Sequence, residues 1–309
     1  MKEHVFISGV IYVYNNEKII KEFLVKIDKI FYENFISYEI IVVNDASQDL
    51  TEQAIYNVSK ELRGKVTLIN LAWKHGIELA MLAGCDFSMG DFIYEIEFID
   101  SYYTTEIFKK LYKTAIKGYD IVSATPITSL KLTSRIFYSF LNRVSYLKMD
   151  LTTETVRIVS RRALNAVIKG KEKLRYRKAL YKYTGFPQTN IKYFSKVKYI
   201  SDGRNLFEKF SLAFNILLSF SNIGLRLAFI FAIIFFMISI IGGIYTVIVY
   251  FTLKSVIEGW TTLMLFISFG FSGFFLILAI IGKYLSMILT EIHDRPAYTV
   301  RNAKLLSKQ

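Results

Sequence analysis

Polar residues follow several apolar segments of the chain, at positions where the strands of a parallel sheet would end. Asp45 ends the segment YEIIVVND, and a carboxylate beside a buried strand is costly unless it is paired or faces a ligand. Tyr14, the segment Leu71–His75 and the acidic segment Glu97–Asp100 follow three similar runs. Ligands of α/β sheets bind beyond the carboxyl ends of the strands. We therefore expect these residues to line one site, in which Asp45 accepts hydrogen bonds from a polar ligand such as a nucleobase.

Strand-like and helix-like segments alternate from residue 5 to residue 124. Runs of β-branched and aromatic residues predict strands, and apolar residues at i, i+3 and i+4 spacing predict helices. The predicted strands are 5–14, 38–45, 66–71, 91–99 and 119–124, and the predicted helices are 19–30, 49–62, 75–88 and 105–117. Because the strands are apolar on both faces, the pattern indicates an α/β fold with a mostly parallel sheet covered by helices.

The pattern is looser after residue 124. We predict a helix over 132–147, a short strand leading into a helix over 153–167, and a β segment over 188–200. The segment 206–220 carries apolar residues at helical spacing against charged and polar ones. Its place just before a long apolar run favours an amphipathic helix in a membrane interface over an ordinary core helix.

The composition favours a membrane partner over nucleic acid. The 309-residue chain has a formal net charge of +13 and is 53% hydrophobic, with the apolar excess near the C-terminus. A basic balance suits nucleic acid, an anionic membrane surface or phosphorylated ligands. The aromatic residues fall into strand, helix and membrane patterns, so no nucleic-acid partner is expected. The single cysteine, Cys85, excludes an intrachain disulfide.

Two C-terminal segments, 227–253 and 262–289, are long and apolar enough to cross a bilayer, which needs about 20 residues. The segment between them is short and nearly neutral, whereas basic residues lie outside them. The positive-inside rule therefore places both termini in the cytosol, and the N-terminus lacks the features of a signal peptide. The predicted parts are an α/β domain (1–203), an interface helix (204–222), a transmembrane hairpin (223–290) and a basic cytosolic tail (291–309).

Three segments resemble the opening motifs of family 2 glycosyltransferases. They are VYNNE (Val13–Glu17), VVNDASQD (Val42–Asp49) and LAWKHGIELAMLAGCDFSMGD (Leu71–Asp91), and their order, spacing and strand-end placement match. The resemblance covers roughly residues 5–200. Together with the two apolar segments, it is closest to the membrane-bound branch that includes dolichol-phosphate mannose synthase and bacterial polyprenyl-phosphate glycosyltransferases. It implies a GT-A-type fold, a bacterial plasma membrane location and a homo-oligomer.

The resemblance also implies which residues bind the nucleotide. These residues are Tyr14, Asn16, Glu17, Asp45 and His75. The alternative for the second motif is an Asx-turn with a helix cap, which accounts for Asn44 and Ser47 better than for Asp45. Glu17 is either an acid in the first turn of a helix, where the helix dipole favours it, or a contact to the ribose or base. His75 is either a polar residue at a helix N-terminus or a nucleotide contact.

A divalent cation, Mg²⁺ or Mn²⁺, is implied by the same resemblance, because the family holds it with an Asp-x-Asp motif after the fourth strand. The segment here reads EIEFID, with Glu97 at the first acidic position and Asp100 one residue late. Glu97 and Asp100 are the candidate ligands, but on a continuous strand they face opposite sides, so the chain must turn between them. Glu95 and Glu97 share a face, and the simplest interpretation of that face is a solvated edge strand.

The acceptor side carries four further candidates. Glu154 is a candidate catalytic base, although a surface glutamate explains it equally well, and Asp100 is a second catalytic candidate. Arg157 resembles an arginine of the family near the acceptor. Arg175 and Arg177 resemble a basic segment that faces phosphate groups, for which the planar guanidinium fork is suited. A solvated cationic face is the alternative for that pair.

These features predict a glycosyltransferase that moves a sugar from a nucleotide-sugar donor to a membrane lipid, with polyprenyl phosphate as the expected acceptor. A phosphate acceptor is already anionic and needs little help from a base, whereas a hydroxyl acceptor would require one. The rival hypothesis is a non-catalytic membrane protein that keeps the fold as a nucleotide-sugar-binding or scaffolding module. The degenerate Asp-x-Asp segment favours this rival, and the presence of Asp45 and Arg157 argues against it.

Overall fold

The computed structural model describes residues 2–99, 104–127, 154, 156–169, 177–193, 223–252, 259–292 and 296–306. The chain divides into two compact units. The first comprises Met1–Asn142, Leu147–Asn205 and Arg295–Gln309, and the second comprises Arg143–Tyr146 and Leu206–Asp294.

The first unit is built from strands and helices that alternate over its N-terminal half. Its described strands are β1 (Glu3–Val13), β2 (Phe35–Asn44), β3 (Lys65–Leu71), β4 (Phe92–Ile96), β5 (Ile121–Pro126), β6 (Val156–Ser160), β7 (Gln188–Tyr193) and β8 (Val300–Leu305). Its described helices are α1 (Ile20–Asn34), α2 (Thr51–Ser59), α3 (Ile77–Phe87), α4 (Thr105–Ala115), α5 (Arg161–Lys169) and α6 (Arg177–Tyr183). The predicted helix over 132–147 lies outside the described residues.

The strands form one sheet in the order β7-β5-β6-β4-β1-β2-β3-β8. Strands β1 to β4, β5 and β7 run in the same direction, whereas β6 and β8 are antiparallel to their neighbours. The predicted α/β fold with a mostly parallel sheet is confirmed. The carboxyl ends of β1, β2 and β3 consequently lie side by side, which places the loops that follow them at one edge.

Both faces of the central strands are buried, as their continuous apolar sequence predicts. On one face Ile7, Ile11 and the apolar side of α1 belong to one core cluster. On the other face Val10 packs with α3 in a second cluster. Gly84 permits this close approach of α3, because a Cβ atom there would lie 2.4 Å from Val10 and 2.7 Å from Val43.

Strand β4 is a central strand, since it lies between β1 and β6. The interpretation of Glu95 and Glu97 as part of a solvated edge strand is therefore wrong. Glu95 is 1% exposed and Glu97 is 4% exposed. The reason is β6, which comes from sixty residues further along the chain and covers the edge that β4 would otherwise present.

The C-terminal segment differs from the predicted basic tail, because β8 joins the sheet antiparallel to β3. An asparagine row crosses three neighbouring strands here. Asn44 Nδ2 donates to Asn70 Oδ1 at 2.8 Å, and Asn70 Nδ2 donates to Asn302 Oδ1 at 2.8 Å. Arg301 adds an ion pair with Glu52 at 2.8 Å. These contacts use the polar residues of the segment to attach it to the sheet.

The second unit contains two long helices, α7 (Ile223–Thr252) and α8 (Trp260–Ile292). They approach closely at Gly273, where a Cβ atom would lie 2.2 Å from the Phe235 ring, and at Gly242, where it would meet the Phe266 ring. In α8 the window Phe269–Ser286 has the length and hydropathy of a membrane span, and the apolar stretch Ala228–Gly242 of α7 is shorter. The predicted span over 227–253, and with it the two-helix hairpin, is thus not confirmed, and the predicted interface helix lies outside the described residues.

The asparagine row predicts a stability cost for Asn70→Ala. Asn70 is 1% exposed, so the substitution leaves the buried Asn44 amide without its acceptor and removes one tie to β8. We expect a loss of about 1–3 kcal/mol in the free energy of unfolding of this domain. The thermal midpoint of the detergent-purified chain, followed by tryptophan fluorescence, measures it. Asn57→Ala, at an exposed position of α2, is the matched control, and equal midpoints for the two variants would contradict the prediction.

Candidate functional site

The loops after β1 and β2 are held together by reciprocal hydrogen bonds. The Asn15 amide donates to Ser47 Oγ at 2.9 Å, and the Gln48 amide donates to Asn15 Oδ1 at 2.8 Å. Asn15 and Ala46 both have positive φ, at 53° and 55°. Non-glycine residues adopt this conformation rarely, and asparagine does so more readily than most. The two loops therefore form one body at the carboxyl edge of the sheet.

Glu17 and Asp49 extend this loop contact. The Glu17 amide donates to Asp49 Oδ2 at 3.1 Å, and the Leu50 amide donates to Glu17 Oε2 at 3.0 Å. Asn16 donates its amide to Thr51 Oγ1 at 2.7 Å, while its own carbonyl accepts the first amides of α1. Glu17 lies before α1 rather than in its first turn, and its carboxylate contacts the backbone at the start of α2.

Asp45 is fully buried and fixes the loop after β3. Its Oδ1 accepts the His75 amide at 2.7 Å, and its Oδ2 accepts the Gly76 amide at 2.8 Å and the Tyr12 hydroxyl at 3.1 Å. Gly76 has a φ of 84°, a conformation that favours glycine. These three donors balance the cost of burying the carboxylate. Asp45 thus joins the ends of β1, β2 and β3, as its strand-end position predicts.

His75 contacts the C-terminal segment. Its Nε2 accepts the Thr299 amide at 3.0 Å, and its Nδ1 lies 2.5 Å from the Trp73 carbonyl oxygen. The imidazole also stacks on the Trp73 indole, with ring centroids 3.9 Å apart. Neither ring nitrogen is left for a ligand in this arrangement, so His75 positions the loop.

Tyr14 and Lys74 provide a more accessible part of the same edge. Lys74 is exposed, and its Nζ lies 4.1 Å from the centroid of the half-buried Tyr14 ring. The Tyr14 amide donates to Asn16 Oδ1 at 2.8 Å, which shapes the turn below the ring. An aromatic face next to an ammonium group can stack on a planar base and attract a negatively charged phosphate.

Glu95 lies at the centre of a second polar group, which we call the arginine–glutamate cluster. It consists of Glu78, Glu95, Glu97, Glu154, Arg157 and Arg177. Oε2 of Glu95 accepts Arg177 Nη1 at 2.5 Å and Arg157 Nη1 at 3.4 Å. Its Oε1 accepts the Tyr181 hydroxyl and the Cys85 thiol. Burial, together with the charge of Glu95, raises the pKa of Tyr181 and of Cys85, so both groups stay protonated as donors.

The two arginines of this cluster are buried, with exposures of 2% for Arg157 and 1% for Arg177. Arg177 Nη2 donates to Glu97 Oε1 at 3.1 Å, and Arg157 Nη2 donates to Glu154 Oε2 at 2.7 Å. Burial alone would lower the pKa of each arginine, but the surrounding carboxylates outweigh it and raise both pKa values. The guanidinium groups therefore remain charged.

The sequence predicts that Arg177 faces acceptor phosphate and that Glu97 binds a metal ion, and the structure places both side chains in these ion pairs. Arg177 lies on neither a solvated face nor a phosphate-binding surface in the described structure. Within the described ranges, no group of three or more His, Cys, Asp and Glu side chains is arranged to hold a metal ion. Asp100 and Arg175 lie outside the described residues. Glu95 of β4 and Glu97 just after it do not fit a divalent cation, because guanidinium groups lie at Oε2 of Glu95 and at Oε1 of Glu97.

Two residues of the cluster, Glu95 and Glu78, and the neighbouring Tyr181 are not among the sequence candidates for a site. The sequence pattern predicts Glu95 only as a surface residue, and Tyr181 and Glu78 carry no signal in the sequence. Cys85 is buried in a helix, as its apolar surroundings predict. An acidic residue in a central strand indicates a buried polar site. A single sequence does not show that β4 is central, because its pairing with β6 joins distant segments.

A sequence model described as glycosyl transferase family 2 matches residues 8–179, more than half of the chain. The chain belongs to glycosyl transferase family 2. The family assignment from the three motifs is thereby confirmed, and this family 2 glycosyltransferase is an enzyme of the transferase class.

Relatives cover nearly the whole length of this glycosyltransferase. It is 27% identical over 301 residues to "Uncharacterized glycosyltransferase sll0501" of Synechocystis sp., covering 95% of this chain and 94% of the relative. It is 25% identical over 308 residues to "Prophage bactoprenol glucosyl transferase homolog" of Escherichia coli, covering 96% and 99%. Its fold is similar to a crystal structure of glucosyl-3-phosphoglycerate synthase from Mycobacterium tuberculosis with uridine-diphosphate, with a TM-score of 0.50, 15% identity, and 70% and 79% of the two chains covered.

Asp49 gives this glycosyltransferase a pH-dependent contribution to stability. Burial alone would raise the pKa of Asp49, but hydrogen bonds from the Thr51 hydroxyl and from the amides of Glu17 and Thr51 lower it. A carboxyl group with a lowered folded-state pKa stabilises the fold above its unfolded pKa of about 3.9, and this contribution is lost as the pH falls through the folded pKa.

We therefore expect Asp49→Asn to lower the thermal midpoint at neutral pH. The difference from the unsubstituted chain should shrink as the pH is lowered below about 4, where Asp49 itself becomes protonated. Thermal midpoints over an acid-to-neutral pH series measure this difference. Glu33→Gln, at an exposed position of α1, is the control and should show no such convergence. A difference that stays constant down to acid pH would contradict the prediction.

Proposed function

We propose that this glycosyltransferase moves a sugar from a nucleotide-sugar donor to a polyprenyl phosphate at the cytosolic face of a membrane. The observation that carries the proposal is the joined edge of β1, β2 and β3. There Asp45 fixes the loop after β3 through two backbone amides, and Tyr14 and Lys74 lie at its accessible side. Relatives named bactoprenol glucosyl transferase, similar over 96% of the chain, support the acceptor.

In this proposal the donor lies against the edge formed by the three loops. Tyr14 contacts the base or ribose, and Lys74 attracts the diphosphate. Asn16, Glu17 and His75 act through the loops that they hold rather than by direct contact, since their hydrogen bonds are made within the protein. Asp45 has the same positioning role, because it is fully buried and its three donors lie within the protein.

The proposed reaction is a substitution at the anomeric carbon of the donor sugar. An anionic phosphate oxygen of the acceptor forms the new bond to that carbon. The bond from the anomeric carbon to the nucleoside diphosphate breaks, and its electron pair leaves with the diphosphate oxygen. No proton has to be removed from the acceptor, so this reaction does not depend on a strong general base.

The second unit is proposed to meet the membrane. Large apolar side chains are exposed along α7 and α8, among them Phe229 at 66%, Phe251 at 81% and Phe275 at 63%. Contiguous apolar exposure of this kind suits lipid. We infer that both helices cross the membrane and that both termini are cytosolic. The non-catalytic scaffold receives no support from the fold or from the relatives.

Incubation of the detergent-purified full-length chain with UDP-glucose, UDP-GlcNAc or GDP-mannose and undecaprenyl phosphate tests the proposal. We expect a glycosylated lipid phosphate, detected by mass spectrometry. Asp45→Asn replaces an acceptor oxygen by an amide group that faces a backbone N–H and displaces the loop, so turnover should fall by about 100-fold. Glu33→Gln is the exposed control. Absence of lipid product with every donor, in a chain that binds UDP, would contradict the proposed acceptor.

Glu154→Gln separates a phosphate acceptor from a hydroxyl acceptor. The substitution keeps the size of the side chain and one hydrogen bond to Arg157, but removes a base. With a phosphate acceptor we expect a change in kcat of less than about tenfold and an unchanged pH profile. With a hydroxyl acceptor the loss would be about 10²–10⁴-fold, because a general base then contributes to the reaction. The pH dependence of kcat for the two chains measures the difference.

A further inference from the structure

Glu95 of β4 and Glu97 just after it are already paired with buried arginines, although the family resemblance implies a divalent cation beside them. A carboxylate has roughly four lone-pair positions for donors or for a metal ion. Glu95 uses them for Arg177, Arg157, Tyr181 and Cys85. A cation could bind Glu95 only if one of these buried donors were displaced and left without a partner, which is costly.

Glu97, which follows β4, also faces both arginines. Its Oε1 lies 3.1 Å from Arg177 Nη2 and 3.9 Å from Arg157 Nη2. A Mg²⁺ or Mn²⁺ ion binds a carboxylate oxygen at about 2 Å. An ion on this oxygen would lie within a few ångströms of two guanidinium charges, in an interior where charges are weakly screened. Repulsion from the arginines therefore opposes binding of an ion to this oxygen of Glu97, the residue that the resemblance implies as a ligand.

We propose that Arg157 and Arg177 take the place of a divalent cation on Glu95 and Glu97, and that sugar transfer by this chain proceeds without a metal ion bound at β4. The statement about transfer rests on the proposed function, whereas the statement about ion binding does not. Arg177 is the more important of the two arginines, because its distances to Glu95 and Glu97, 2.5 and 3.1 Å, are shorter than those of Arg157, 3.4 and 3.9 Å.

The first test is Mn²⁺ binding, measured by electron paramagnetic resonance on the full-length chain in detergent. Mn²⁺ is added at submillimolar concentration with and without UDP, because a nucleotide diphosphate can carry the ion into a site. We expect no protein-bound Mn²⁺ signal in either case and no shift of the thermal midpoint on adding Mn²⁺. A stoichiometric Mn²⁺ signal that Glu97→Gln abolishes would overturn the proposal.

Removal of the internal cation is the second test. Arg177→Met leaves Glu95 and Glu97 without their principal positive charge, so this variant should gain Mn²⁺ binding and be stabilised by Mn²⁺ against heat. Arg301→Met, which removes an exposed arginine paired with Glu52, is the matched control and should gain neither. A folded Arg177→Met variant without any gain would count against the replacement. If the variant does not fold, the binding test on the unsubstituted chain still decides.

The third test compares turnover in EDTA with turnover in Mg²⁺ or Mn²⁺, using the lipid assay above. We expect equal rates, and a loss of turnover in EDTA that Mn²⁺ restores would overturn the proposal. Failure of the proposed function has a different signature, because no donor would then give lipid product in any buffer. The Mn²⁺ signal would still report whether the arginines exclude the ion.

Discussion

The arginine–glutamate cluster is the interaction on which the centre of this domain depends. Two arginines and the Glu95 carboxylate are taken out of water beside β4, which is favourable only when every charge has well-placed partners. The cluster joins β4, β6, α3 and α6, elements that are distant in sequence. Loss of one partner from a buried ion pair typically costs about 3–5 kcal/mol, so these residues tolerate little independent change.

The edge formed by the loops after β1, β2 and β3 follows a different principle, in which neutral and charged hydrogen bonds fix the three loops. Asp45 binds backbone amides of the loop after β3, Glu17 binds the start of α2, and Asn15 bridges the loops after β1 and β2. Preorganised loops lower the entropy cost of binding. The segment that carries β8 completes this edge, because Thr299 donates to His75 after the chain has passed through α7 and α8.

Sequence periodicity predicted the alternating elements from β1 to β5 with boundaries that differ by a few residues, because local apolar patterns determine them. It also placed Asp45 at the carboxyl edge of the sheet, since the ends of parallel strands meet at one side of a sheet. It failed where distant segments decide the outcome. The cover of β4 by β6, the addition of β8 and the burial of Arg177 depend on pairings across many residues. A basic residue in a short segment carries no local sign of such burial.

The acidic segment of β4 shows why the same residue types can support different chemistry. A glutamate pair on one strand face attracts positive charge, and either a metal ion or a guanidinium group can supply it. A metal ion can leave, move with the substrate and accept oxygen ligands from a diphosphate. A guanidinium group held by β6 or α6 stays in place and donates hydrogen bonds only in its own plane. The negative charge of a departing diphosphate would then have to be stabilised by accessible cations such as Lys74. This lysine lies in the loop that Asp45 fixes.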